Sequence, residues 1–177
     1  MAKREALRDL QARLAKRLQA AQTEGMSVSW LAVKAAGLNY LLPLGQSGEI
    51  VALAPVQRVP YTKPWFDGVF NVRGNLVGVV DLSAYLVADH AVQPKPVVAS
   101  QEASVVTLNT SLDVNCALRV DSLAGLRGND AFASSTAPAA DAPPYFGHSF
   151  VDAEGLRWQA LDLRALAQTP SFLSIAA

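Results

Sequence analysis

The sequence predicts a mostly-β domain in two similar halves, preceded by one amphipathic helix. Two observations carry the β prediction, and a third sets the helix apart. First, the run Trp65-Phe66-Asp67-Gly68-Val69-Phe70-Asn71-Val72-Arg73-Gly74-Asn75-Leu76-Val77-Gly78-Val79-Val80-Asp81-Leu82 reads as strand, turn and strand. Its order returns roughly 80 residues later in Tyr145-Phe146-Gly147-His148-Ser149-Phe150-Val151-Asp152-Ala153-Glu154-Gly155-Leu156-Arg157-Trp158-Gln159-Ala160-Leu161-Asp162-Leu163, again an aromatic pair, a Gly-containing turn and an apolar-Asp-Leu ending. Second, Gly37, Gly45, Gly48, Pro55, Pro60 and Pro64 leave no room for long helices between the apolar runs. Third, helical spacing is sustained only near the start of the chain.

There, Leu7, Leu10, Leu14, Leu18 and Ala21 recur at intervals of three and four until Gly25. This helix, residues 1–25, either covers an apolar patch of its own domain or docks on another helix. It reads as an addition to the body at 26–177, so a chain lacking residues 1–24 is expected to stay a soluble β domain. Strands are predicted at 28–34, 38–44, 49–53, 69–72 and 76–80, with a helical turn after Asp81-Leu82-Ser83 that Asp81 or Ser83 can cap. Residues 88–103, with Pro94 and Pro96, connect the halves, which span about 28–92 and 103–168. The second half offers strands at 104–109, 114–120, 146–151 and 156–161 and a short helix near 163–167. The Ala-, Pro-, Ser- and Asp-rich stretch 131–144 fits an ordered irregular loop or a mobile one equally well.

Composition narrows the function classes. Hydrophobic residues make up 51% and charged residues 17%, below the usual charged share of about 25%, which leaves apolar surface for partners. The 15 basic and 15 acidic side chains cancel, so a nucleic-acid footprint has no global support. The balance is uneven, since Lys3, Arg4, Arg8, Arg13, Lys16 and Arg17 give residues 1–25 a net charge of roughly +3. The single cysteine, Cys116, sits in an apolar run that reads as buried strand and fits a reducing cytoplasm. No apolar stretch is long enough for membrane insertion, and no signal peptide is evident.

Chemistry is sparse. His90 and His148 lack metal-ligand spacing with Cys, Asp or Glu, and no phosphate-binding loop, nucleophile elbow or dinucleotide fingerprint is present. No cofactor is expected. Asp81 and Asp162 could be read as a catalytic carboxylate pair, but their matching places at the ends of repeated strands argue for helix caps. Trp30, Trp65 and Trp158, with Tyr40, Phe66, Tyr145 and Phe146, lack the interleaved cations of a base-stacking platform and read as packing aromatics. Arg73, at a strand end beside Gly74, projects its planar donors towards solvent, where a partner carboxylate or an internal salt bridge can take them.

The 65–82 segment resembles the signature of the CheW family of coupling proteins: an aromatic or apolar residue, Gly-Val, Asn-apolar-Arg-Gly, then Val/Ile-Asp-Leu. A more diffuse likeness covers 115–126, including Val120-Asp121-Ser122-Leu123, and 145–166; the whole spans roughly 28–168. The resemblance implies two five-stranded SH3-like β-barrels around a shared core and no enzymatic activity. It implies an adaptor joining the cytoplasmic tip of a chemoreceptor to the regulatory domain of a CheA-like histidine kinase, with the kinase held on an apolar barrel surface of the first half. By the same resemblance Arg73, Gly68, Glu49, Asn71 and Gly74 belong to the receptor-binding surface. The helix wording Arg4-Glu5-Ala6-Leu7-Arg8-Asp9-Leu10-Gln11-Ala12-Arg13-Leu14, with Pro64-Trp65-Phe66 and Arg73-Gly74-Asn75-Leu76, is similar to the branch attached to type IV pilus chemosensory systems. Such a protein is cytoplasmic, is recruited to receptor arrays at the membrane and serves twitching motility. The rival reading is a small β-barrel interaction module unrelated to chemosensory signalling.

Overall fold

The computed structural model describes residues 2–24, 28–89, 91–93 and 103–177, with side chains placed at 5–19 in the first helix and from 29 in the first strand. Gly25, His90 and most of the 88–103 connection lie outside the described residues. In chain order the elements are α1 Ala2–Glu24, β1 Val28–Ala35, β2 Leu38–Pro43, β3 Ser47–Ala52, β4 Phe66–Val72, β5 Asn75–Asp81 and α2 Leu82–Ala88. There follow β6 Ser104–Leu108, β7 Cys116–Val120, β8 Ser122–Gly128, β9 Phe132–Thr136, β10 Phe146–Asp152, β11 Arg157–Leu161, α3 Leu163–Gln168 and α4 Pro170–Leu173.

The strands form a six-stranded sheet in the order β8-β1-β2-β11-β10-β9 and a five-stranded sheet in the order β3-β6-β7-β5-β4. Both curl. Opposite edges β8 and β9 of the larger sheet are joined by only the Asn129–Ala131 turn. That link reaches about 14 Å, whereas six flat strands would hold the edges about 24 Å apart. The edges approach without pairing, giving SH3-like, partly open barrels. The larger sheet has six strands where five were expected, and each sheet draws strands from both sequence halves: β2 runs parallel to β11, and β5 runs parallel to β7.

The alternation of side chains along each strand sorts the core into three. Leu31 and Val33 of β1 face a large core shared by the two sheets, while Ala32 joins Leu41, Trp158 and Ala160 inside the larger curl. On β7, Leu118 and Val120 face the shared core, and Ala117 packs with Phe70, Val77, Val79 and Val105 inside the smaller one. Strands buried on both faces read as continuous apolar runs, which is why they are legible without alternation. Trp65, edge-on to Tyr85 at 5.1 Å and stacked on Phe172 at 6.3 Å, anchors the shared core.

The repeat is repeated in hydrogen bonds. The Asp81 amide donates to the Trp65 carbonyl and the Asp162 amide to the Tyr145 carbonyl, both at 2.8 Å. Each carboxylate then caps the helix it opens, Asp81 accepting from the Ala84 amide and Asp162 from those of Arg164 and Ala165. Of the two candidate caps for α2, the one used is Asp81; the Ser83 hydroxyl instead accepts from the Ala36 amide and donates to Asp121.

Three expectations need correction. Residues 132–136, inside the stretch read as loop, form the edge strand β9, and β8 was not anticipated. Gly125, at φ +96°, sits where the β8 register shifts against β1, and that bulge breaks the pattern. Helix α1 also belongs to the body, since it lies along β3 and β8 with Leu14 and Leu18 7% and 2% exposed in the shared core. Gln11 Nε2 donates to Ser104 Oγ at 2.8 Å. Leu10, by contrast, is 50% exposed. The helix therefore contributes Leu14 and Leu18 to the core of the body.

Candidate functional site

The hairpin β4–β5 is closed by a two-residue turn, with Val72 opposite Asn75. Arg73 (φ 50°) and Gly74 (φ 87°) both take positive φ, as a type I′ turn requires, because that turn matches the twist of the strands. Gly74 adopts this conformation freely. Arg73 does not: a Cβ in the left-handed region costs about 1 kcal/mol, and Asn is the residue this position favours. Asn71 stiffens the turn, its Oδ1 accepting the Gly74 amide at 2.9 Å.

At this tip Arg73 Nη2 meets Glu49 Oε2 at 3.0 Å, with the two side chains 75% and 46% exposed. Glu49 lies on β3, one edge of the five-stranded sheet, and Arg73 turns the corner of β4, the other edge. The pair therefore straps the open seam of the curled sheet. At such exposure it contributes only about 0.2–1 kcal/mol, so both groups keep donors and acceptors for a partner. Glu49 is held from behind, its amide donating to Thr107 Oγ1 at 2.7 Å.

The seam opens into a groove of about 460 Å³ whose walls include Glu49, Arg73, Val77, Thr110, Asp113 and Asn115. Asn115 Nδ2 donates to the Leu76 carbonyl, and Leu76 is 61% exposed beside the tip. Asp113, like Arg73, is a non-glycine residue in the left-handed region, φ 56°. Cys116 reaches the groove floor, but burial pushes its thiol up to about 12, so it is a weak nucleophile. The groove thus offers shape, one cation, two carboxylates and amide groups, which suits recognition.

Of the five residues assigned by resemblance, the structure brings four together: Arg73, Glu49, Asn71 and Gly74. Gly68 stands apart, towards the start of β4. A Cβ there would lie 2.1 Å from the Gln57 carbonyl oxygen, and its φ is +134°. Its bareness lets Gln57 pair with Val69 through two hydrogen bonds of 2.8 and 2.9 Å, clasping the 53–65 segment on the outer edge of β4. Sequence reasoning missed Arg119, which bonds Asp67 at 2.6 Å and also Asp81. Burial pushes the Asp81 carboxyl up, against the opposing pull of the Ala84 amide and Arg119. Among the described residues no group of three or more His, Cys, Asp or Glu side chains could hold a metal ion.

Comparison with known proteins places this architecture. The CheW-like domain family matches residues 29–171, and the chain belongs to that family of chemosensory adaptor proteins. It is also 31% identical over 166 residues, 93% of this chain and 89% of the relative, to Protein PilI of Pseudomonas aeruginosa strain PAO1. The crystal structure of the scaffolding protein TtCheW from Thermoanaerobacter tengcongensis superposes with a TM-score of 0.60, covering 77% of this chain and 89% of that one at 14% identity. The last likeness is one of fold.

Proposed function

We propose that this chain is a non-enzymatic adaptor that couples methyl-accepting chemoreceptors to a CheA-like histidine kinase, controlling type IV pilus twitching motility. The observation that carries the reading is the exposed Arg73–Glu49 pair, held on a strained hairpin tip at the rim of a groove in a chain of the CheW-like family. A stable tip spends strain to present a guanidinium where Asn would fold better, which is a pattern of binding sites. The receptor's helical tip would lie along this groove, with its carboxylates on Arg73. The likeness to Protein PilI supports the pilus branch.

In this reading residues 26–177 are the CheW-like unit and 1–25 an appended helix that the unit has absorbed into its core. The site of action is the cytoplasmic face of receptor arrays, reached through the receptor. No helix of the described residues is long and apolar enough to cross a membrane. Calorimetry with the purified receptor signalling domain and the kinase regulatory domain from the same genome tests the proposal. A complex with each is expected; no complex with either at tens of micromolar overturns it.

A further inference from the structure

The strand that carries Glu49 breaks its own alternation at that residue. Side chains of a regular strand change face at every step, so Ser47 and Glu49 would share one face. They do not: Ser47 and Ile50 are the buried pair, set against Leu108 and Val106 of β6, while Glu49 is exposed. Between those two pairings Gly48 and Glu49 together stand opposite the single residue Thr107, which is the count of a β-bulge. Without the extra residue Glu49 would fall opposite Val106 and point into the shared core.

A bulge has to be held. Its extra residue falls outside the ladder, and a backbone amide there needs another acceptor. Thr107 supplies one from the neighbouring strand: its Oγ1 accepts the Glu49 amide at 2.7 Å and donates to the Glu49 carbonyl across a longer 3.4 Å. The hydroxyl fits only because residue 48 is glycine, since a Cβ there would collide with Thr107 Oγ1. Gly48 opens the space and the Thr107 hydroxyl fills it. Thr107 also lines the groove beside Arg73, and the residue it clamps is the one whose carboxylate reaches Arg73 Nη2 at 3.0 Å.

We propose that Thr107 is a positioning residue for recognition at the groove: by pinning the bulge it aims the Glu49 carboxylate at Arg73 and so fixes the orientation in which the guanidinium meets a partner carboxylate. This rests on the adaptor reading, in which that partner is the receptor. An exposed ion pair loses side-chain freedom to hold one geometry, and a pair set on a fixed backbone has less left to lose on binding. Thr107 acts through Glu49, so its effect exists only while Glu49 keeps its charge.

The test is calorimetric titration of the receptor signalling domain into the full chain and into Thr107→Val, Thr107→Ser, Glu49→Gln and the double variant Thr107→Val, Glu49→Gln, with exchange of the Glu49 amide proton followed by NMR in parallel. Valine keeps the branched shape and removes the hydroxyl; serine keeps the hydroxyl. Thr107→Val is expected to weaken receptor binding about fivefold and to speed exchange of the Glu49 amide. Thr107→Ser should match the parent in both, and Thr107→Val should add nothing to the loss caused by Glu49→Gln. Thermal melts should stay close to the parent, because water reaches the freed amide at this exposed site. Parent-like affinity in Thr107→Val overturns the proposal, as does equal weakening by serine and valine, or a further loss in the Glu49→Gln background. No receptor complex with the parent overturns the adaptor reading and the role in recognition with it; amide exchange then still reads the bulge, and an unchanged Glu49 amide in Thr107→Val overturns the clamp as well.

Discussion

At the scale of single residues, Arg73 separates stability from recognition. Arg73→Asn relieves a backbone cost of about 1 kcal/mol and loses an exposed pair of similar or smaller worth, so the melting midpoint is expected to hold or rise. Arg73→Glu places like charge against Glu49 and against acidic partner groups. Both are expected to weaken receptor binding, Arg73→Glu by at least about 1.4 kcal/mol, a tenfold loss; titration beside a thermal melt reads both quantities. A steep fall in melting with normal binding by the folded fraction would make Arg73 a structural strap only. Asp152 behaves oppositely, as a fold residue. It is buried and accepts from the Trp158 indole at 2.9 Å and from the Leu156 and Glu154 amides. The indole donor foremost holds its carboxyl below the usual range. A lowered pKa stabilises the fold above the unfolded value of about 3.9, and that contribution is lost as pH falls through the folded pKa. Asp152→Asn is therefore expected to be less stable at pH 7 and to show a flatter acid limb in urea melts taken from pH 7 to pH 2.

At the scale of elements, α1 shows what a helical period can and cannot say. The spacing of Leu7, Leu10, Leu14 and Leu18 announces a helix with an apolar face, and the helix is there. Which leucines meet the body depends on the line of approach to β3 and β8, and that is a property of the partner strands. Leu18→Ala is expected to cost about 2–4 kcal/mol by emptying part of the shared core, and Leu10→Ala no more than about 0.5 kcal/mol; urea denaturation of the two variants distinguishes them. Equal small losses would mean that α1 merely rests on the surface. The strands divide similarly. Val79-Val80 and Ala117-Leu118, buried on both faces, were legible as apolar runs, whereas β9, Phe132-Ala133-Ser134-Ser135-Thr136, is an exposed edge with one large apolar side chain, so its extended state is set by pairing with β10.

At the scale of the whole molecule, the two halves are visible in sequence because each must enter with a buried aromatic and leave through an aspartate cap. The meeting of Glu49 and Arg73 was not visible. Arg73 was picked out by its place at a strand end beside Gly74 and Glu49 by resemblance alone, and only the curl of a five-stranded sheet brings its opposite edges within reach of a side-chain bridge. Gly68 was grouped with them on likeness, while its geometry shows a backbone clasp at the far end of the same strand. An adaptor must hold both partners at once, so sedimentation of the chain with the receptor signalling domain and the kinase regulatory domain should show a ternary complex; mutual exclusion of the two would overturn the coupling reading.

The interleaving of the sheets also bears on how the chain is made. β1 and β2 find their remaining neighbours only in β8 and β11, more than eighty residues further along. At about 5–20 residues per second on the ribosome, the first hairpin waits on the order of 10 s with Leu31, Val33, Leu41 and Leu42 uncovered. Its newborn form is an apolar hairpin with both edges open, so an occupant of those edges during synthesis, such as a chaperone, is expected to protect yield. Slowing translation late in the message, before residue 161, lengthens that exposure and should raise the insoluble fraction; the same delay before residue 28 should not.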